Sequence, residues 1–155
     1  MDWTIKLGVV SSVISIAGAV WSLFNVRIIR KTKKEIFSKF KVVKYSNINE
    51  KAKTTIYQVK KIALKNKIPK GINLFDINNS VNDYYEKIHE ISNDIEKENS
   101  ANLNNYISNL REKIMEVSKL NNNSSDLIEK YTQLYYIILQ VDKEIDKFKQ
   151  NIIEK

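Results

Sequence analysis

The chain has 155 residues, no cysteine and one histidine, and its 26 Lys or Arg against 18 Asp or Glu give a net charge of +8. Beyond any membrane segment this length holds one compact domain rather than two, and without cysteine a disulfide framework, a thiolate metal site and a thiol nucleophile are excluded. Three glycines and one proline leave few turn positions, which favours helices over sheets.

Residues 7–26 form an uncharged run of 20 residues. At 1.5 Å of rise per residue, a helix of that length spans a hydrocarbon layer of about 30 Å. Gly8, Ser11, Ser15, Gly18, Ser22 and Asn25 recur within it at spacings of 3, 4, 3, 4 and 3, on one face in a 3.5-residue repeat. Small and polar side chains so placed let helices approach closely, or let a ring of helices line a water path. The expectation is a transmembrane helix whose stripe is pore-lining or a helix contact. A cleaved signal peptide is disfavoured. Lys6 is balanced by Asp2, apolar character continues past Ala17-Gly18-Ala19 through Trp21, Leu23 and Phe24, and a basic cluster follows at once.

That cluster is Arg27, Arg30, Lys31, Lys33 and Lys34. Lys and Arg at a membrane exit set its side, so the N-terminus is expected outside and the C-terminal part in the cytoplasm, in a single pass. Residues 27–70 hold 15 Lys or Arg against Glu35 and Glu50, whereas residues 71–155 hold 10 against 15 acids. The domain reading is an extracytoplasmic N-terminus and membrane helix over 1–26, and a cytosolic helical bundle over 27–155 whose segment 27–70 is basic.

Past Arg27 the helix continues with Ile28, Ile29, Ile36, Phe37, Phe40 and Val43 as an apolar face among lysines, and a break is expected near Ser46-Asn47. A second helix is expected from Glu50 to Asn66 with Ala52, Ile56, Val59 and Ala63 on one side, ended by Ile68-Pro69-Lys70-Gly71. Three heptad series follow. The first is Ile77, Val81, Tyr84, Ile88, Ile91 and Ile95; the second is Leu103, Ile107, Leu110, Ile114 and Val117. The third, over Leu127, Tyr131, Leu134, Ile138, Val141, Ile145, Phe148 and Ile152, is unbroken. Asp76 and Ser125 are the expected N-caps, and residues 121–124 an expected loop. The fold class is therefore all-α: a transmembrane helix followed by a bundle of about four to five helices with heptad packing.

Catalytic chemistry finds little support. Glu86 and His89 have the Glu-x-x-His spacing of bundle di-iron sites, but such a centre needs a second copy, and no second histidine exists. The Arg that HEPN ribonucleases place ahead of their histidine is missing ahead of His89. No GxxxxGK[ST] or GxGxxG loop is present to cradle a phosphate. The reading is a protein that is not an enzyme and carries no metal and no cofactor.

The basic segment has three readings. It contacts anionic lipid near the membrane, each Lys or Arg being worth about 1 kcal/mol there. Alternatively Lys51, Lys53, Lys60, Lys61, Lys65 and Lys67 form a cytosolic surface for nucleic acid or a phosphorylated ligand, with Tyr57 as a stacking residue. In the third, the basic helix packs on the acidic later ones. Arg27, Arg30, Lys31, Lys33, Lys34, Lys60 and Lys61 are the candidate residues for lipid or another anionic ligand.

A single span ahead of a small helical domain resembles the bacterial single-span membrane effectors of antiphage defence, such as the pore-forming accessory proteins of type VI-B CRISPR systems. The resemblance lies in the layout of the whole chain, and no signature motif occurs in residues 27–155. It implies an inner-membrane homo-oligomer, with membrane lipids as partners. Its cytosolic bundle would sense a protein, nucleic-acid or nucleotide trigger and open a pore. The rival class is a membrane-tethered adaptor that recruits a cytosolic partner or nucleic acid without conducting. A holin or small toxin would share the pore chemistry without a trigger.

Overall fold

A computed structural model describes residues 3–65, 67–96, 101–120 and 125–154, with backbone alone at 3–11, 13, 93–96, 101 and 102. The chain is all-helical: α1 (Trp3–Val59), α2 (Leu74–Glu96), α3 (Ala101–Ser118) and α4 (Leu127–Ile153), with no strand among the described residues. It divides into two compact units, Met1–Phe40 and Lys41–Lys155. Among the described residues no helix is long and apolar enough to cross a membrane. The side chains at 7–11 and 13, which open the apolar run, lie outside the described residues.

Unit 2 is a four-helix bundle built from residues 41–59 of α1 together with α2, α3 and α4. Hydrogen bonds fix the register. Lys51 pairs with Asp83 at 3.0 Å, and four residues further along α1 the Thr55 hydroxyl donates to the carbonyl of Ser80 at 3.2 Å, so α1 and α2 run antiparallel. Asn49 meets Asp142 and the backbone of Leu64 meets Thr132, so α1 and α4 are antiparallel too. Lys130 reaches Glu116 at 2.8 Å across the α3–α4 hairpin. The C-terminal ends of α1 and α3 and the N-terminal ends of α2 and α4 therefore share one end of the bundle.

The heptads supply the core. Ile77, Val81, Tyr84, Ile88 and Ile91 from α2, Leu103, Ile107, Leu110 and Val117 from α3, and Leu127, Tyr131, Leu134, Ile138, Val141 and Ile145 from α4 are all buried. Ile114, Phe148 and Ile152 are half-buried, and the side chain of Ile95 lies outside the described residues. From α1 the core takes Tyr45, Ile48, Ala52 and Val59.

Four local expectations are corrected. The break near Ser46-Asn47 does not occur, because Tyr45, Ile48 and Asn49 on either side are buried in the bundle and hold the helix through two weak helix formers. The helix ends at Val59 rather than Asn66, which lies outside the described residues. Ile62 donates to the carbonyl of Val59 at 3.0 Å, tightening the last turn, and Leu64 then takes a positive φ of 61°. Its amide donates to the Thr132 hydroxyl at 3.0 Å, while Ile62 and Ala63 are buried, so tertiary packing imposes what glycine ordinarily supplies. Asn73, not Asp76, caps α2, its side-chain oxygen accepting from the amide of Phe75 at 3.0 Å. Asp126, not Ser125, occupies the N-cap position of α4; Ser125 donates to its carboxylate at 2.7 Å. The loop expected at 121–124 lies outside the described residues.

One polar group sits against this core. Asp142 on α4 accepts 2.6 Å from the amide of the buried Asn49, whose own oxygen accepts from Lys149 at 3.2 Å. Burial raises the Asp142 pKa, with the Asn49 bond and the charges of Lys53 and Lys149 opposing the rise and Asp146 adding to it. The buried Tyr84 hydroxyl has no hydrogen-bond partner among the described residues, and burial together with Asp142 pushes its pKa well up.

A raised carboxyl pKa means that ionisation is less favourable in the folded than in the unfolded state. The penalty is absent below the ordinary carboxylate range and complete above the raised pKa. Asp142→Asn keeps an acceptor for Asn49 and removes that penalty. Its unfolding midpoint at neutral pH is expected to equal or exceed the wild type, and to fall less as the pH rises from below the ordinary carboxylate range to neutral. Asn49→Ala leaves the carboxylate without its donor and is expected to cost about 1–3 kcal/mol. Urea unfolding of both variants at neutral pH and at a pH below the ordinary carboxylate range checks this; a strongly destabilised Asp142→Asn at neutral pH contradicts it.

Candidate helix-contact and anion-binding surfaces

In unit 1 the apolar side chains have no core to enter. Ile14, Trp21, Leu23, Phe24, Ile29 and Ile36 are between 62% and 69% exposed. Of the six residues expected to line a contact, Gly8 and Ser11 lie outside the described side chains, while Ser15, Gly18, Ser22 and Asn25 are exposed on α1. A Cβ added at Gly18 meets nothing within 4 Å.

Helical phase adds what composition hides. At 3.6 residues per turn the face carrying Ser15, Gly18, Ser22 and Asn25 is continued by Ile29, Thr32, Ile36 and Phe40, at spacings of 4, 3, 4 and 4 after Asn25. The small and polar stripe thus becomes an apolar one within the same register. The signal that finds Ile29 and Ile36 is the extension of the 3,4 spacing past the first arginine, where hydropathy alone stops.

The same phase sorts the cations. Arg27, Arg30 and Lys34 recur at spacings of 3 and 4 on the side of α1 opposite Ser22, Asn25 and Ile29, and all are exposed. Lys33 flanks the stripe, and Lys31 lies beyond the arginine row. Were the stripe to face an axis between helices, Arg27 and Arg30 would point away from it, toward lipid headgroups.

In unit 2 the lysines fall into two groups. Lys51 is ion-paired with Asp83, and Lys53 lies within electrostatic reach of Asp142, so these two serve the packing of α1 on the acidic helices. Lys60, Lys61, Lys65, Lys67 and Lys70 are exposed in and beside the connection that follows α1. Lys61 reaches Gln58 at 2.6 Å and stands 5.3 Å from the centre of the Tyr57 ring. His89 is exposed and stacks on Tyr85, ring centres 5.9 Å apart. No group of His, Asp and Glu among the described residues could hold a metal ion.

Comparison of the chain with family models, with curated proteins and with solved structures finds no match.

Proposed function

We propose that the protein is a homo-oligomeric, single-span membrane protein of the bacterial inner membrane. Its N-terminal helix forms or gates a pore, and its helical bundle lies in the cytoplasm and controls permeability. The observation that carries this reading is the row of large apolar side chains left exposed along α1 in unit 1, beside a face of small and polar residues in heptad spacing. An exposed apolar surface of this extent asks for lipid or another helix, and the uncharged run over 7–26 followed by Arg27, Arg30, Lys31, Lys33 and Lys34 fits a span with its basic end in the cytoplasm. Lipid takes the broad apolar side, and copies of α1 meet along Ser15, Gly18, Ser22 and Asn25. A lone helix encloses nothing, so conduction depends on that second contact.

The experiment is replacement of residues 7–26 by polyleucine of equal length, assayed by dye release from vesicles and by mass measurement in detergent. A pore loses dye release and its oligomer shrinks, although the span still inserts. Retained activity after the swap belongs to an adaptor, whose membrane helix only anchors. A monomeric wild-type protein in detergent ends the pore reading.

A further inference from the structure

The end of the bundle where α1 finishes and α2 begins carries Lys60, Lys61, Lys65, Lys67 and Lys70, with Asp126 and Glu129 of the α4 N-terminus at the same end. Lys60, Lys65, Lys67 and Lys70 are exposed, and none of their ammonium groups is hydrogen-bonded or ion-paired among the described residues. No Asp or Glu occurs between Glu50 and Asp76. Two aromatic rings bracket the lysines: Tyr57 is 67% exposed and Phe75 69%, with Leu64 between them at 51%. Antiparallel pairing of α1 with α2 through Lys51–Asp83 and Thr55–Ser80 brings Tyr57, on the last turn of α1, and Phe75, on the first turn of α2, to the same end. Neither ring belongs to the core, and a solvent-facing phenylalanine beside an N-cap contributes nothing to capping that Asn73 does not already supply.

We infer that this end of unit 2 is a docking site for single-stranded nucleic acid, with Lys60, Lys65, Lys67 and Lys70 along the phosphates and Tyr57 and Phe75 stacking on bases. Lysines supply the sequence-independent, salt-sensitive attraction, and exposed flat rings supply stacking that any base satisfies. Charge complementarity sets the sign of the ligand, and the rings separate a polynucleotide from an acidic protein segment, which offers no flat faces. Lipid is the other polyanion. Lipid headgroups offer charge but no base to stack on Phe75, so the Phe75 and lysine variants below separate the two. The inference rests on the proposed function only in placing this end in the cytoplasm. It gives the pore a trigger of stated chemistry.

The test uses the full chain in zwitterionic nanodiscs and a labelled 20-nucleotide polyuridylate, read by fluorescence anisotropy across salt concentrations, with polyglutamate as the rival polyanion. The expected result is saturable binding whose log K falls with log salt at a slope of about −3, as about four neutralised phosphates give on a single strand. Lys60→Gln, Lys65→Gln and Lys67→Gln combined should cut that slope to about −1 and weaken binding at least about tenfold. Phe75→Ala should weaken polyuridylate about tenfold and leave polyglutamate unchanged; being exposed, it leaves the fold intact. Polyglutamate binding as tight as polyuridylate and indifferent to Phe75→Ala overturns the inference in favour of an acidic protein partner. A lysine variant that changes only affinity for anionic-lipid nanodiscs overturns it in favour of lipid. Binding is read independently of leakage, so a protein that binds polyuridylate but never releases dye keeps this site and loses the pore.

Discussion

Gly18→Leu is expected to abolish dye release from vesicles and to dissociate the oligomer, while Val20→Leu leaves both intact. Within one chain a side chain at position 18 enters open space, since a Cβ there has no neighbour within 4 Å. The helix itself gains from the change, because glycine is among the poorest helix formers and leucine among the best. Any loss must therefore come from a second helix that approaches the Gly18 face. Forcing extra methylenes into a close contact costs about 1–3 kcal/mol, which is roughly a 5- to 150-fold weakening of each association step, and an oligomer takes that loss at every interface. Val20 lies on the opposite side of α1 and is exposed as well, so Val20→Leu adds comparable bulk on the face to which the proposed function assigns lipid rather than a helix. Cross-linking in membranes and dye release read the two variants side by side. Equal losses from both faces remove the seam; equal indifference leaves α1 an anchor alone.

Residues with a period of their own were the legible ones. In the α4 series Leu127, Tyr131, Leu134, Ile138, Val141 and Ile145 are buried as expected, because α4 faces its neighbours along that stretch, while Phe148 and Ile152 toward its end are only half-buried. At α1 the same rule misleads. Ile36, Phe40 and Val43 make the clearest apolar face beyond the arginines, yet they are exposed, and the core is taken by Tyr45, Ile48 and Ala52 on another side of the helix. Only partners far along the chain decide between the faces. Asn49 answers Asp142 and Thr55 answers Ser80, pairings 93 and 25 residues apart that no local window contains. The turn after Val59 was hidden for a related reason, since Leu64 adopts a left-handed backbone held by the bond its amide donates to Thr132 rather than through a glycine. The candidate site divides the same way. The small and polar stripe and the lysines were visible as spacing and charge, whereas Phe75 became a candidate only when the pairing of α1 with α2 set it at the same end as Tyr57.

Leu134→Ala is expected to destabilise the bundle by about 2–5 kcal/mol, against a total that for single domains is about 5–15 kcal/mol. Leu134 is fully buried at the middle of the α4 series, with Tyr131 and Ile138 buried on either side of it, so the cavity it leaves has few ways to collapse. Tyr136, two residues on and 52% exposed, is the internal control. Its replacement by alanine loses its edge-on contact with Tyr135, ring centres 5.5 Å apart, and should cost about 1 kcal/mol or less. Urea unfolding followed by far-ultraviolet circular dichroism measures both, and a Leu134→Ala midpoint within error of wild type would mean that α4 is not at the centre of the core. The same variant also separates the roles of the two units. No described residue of unit 1 belongs to the buried cluster, so a weakened bundle should leave α1 self-association, read by cross-linking in membranes, unchanged. If the bundle controls permeability, Leu134→Ala must then alter the dependence of dye release on the trigger without altering oligomer size. If it alters neither, the bundle is passenger to α1, and any control of permeability has to be sought within α1.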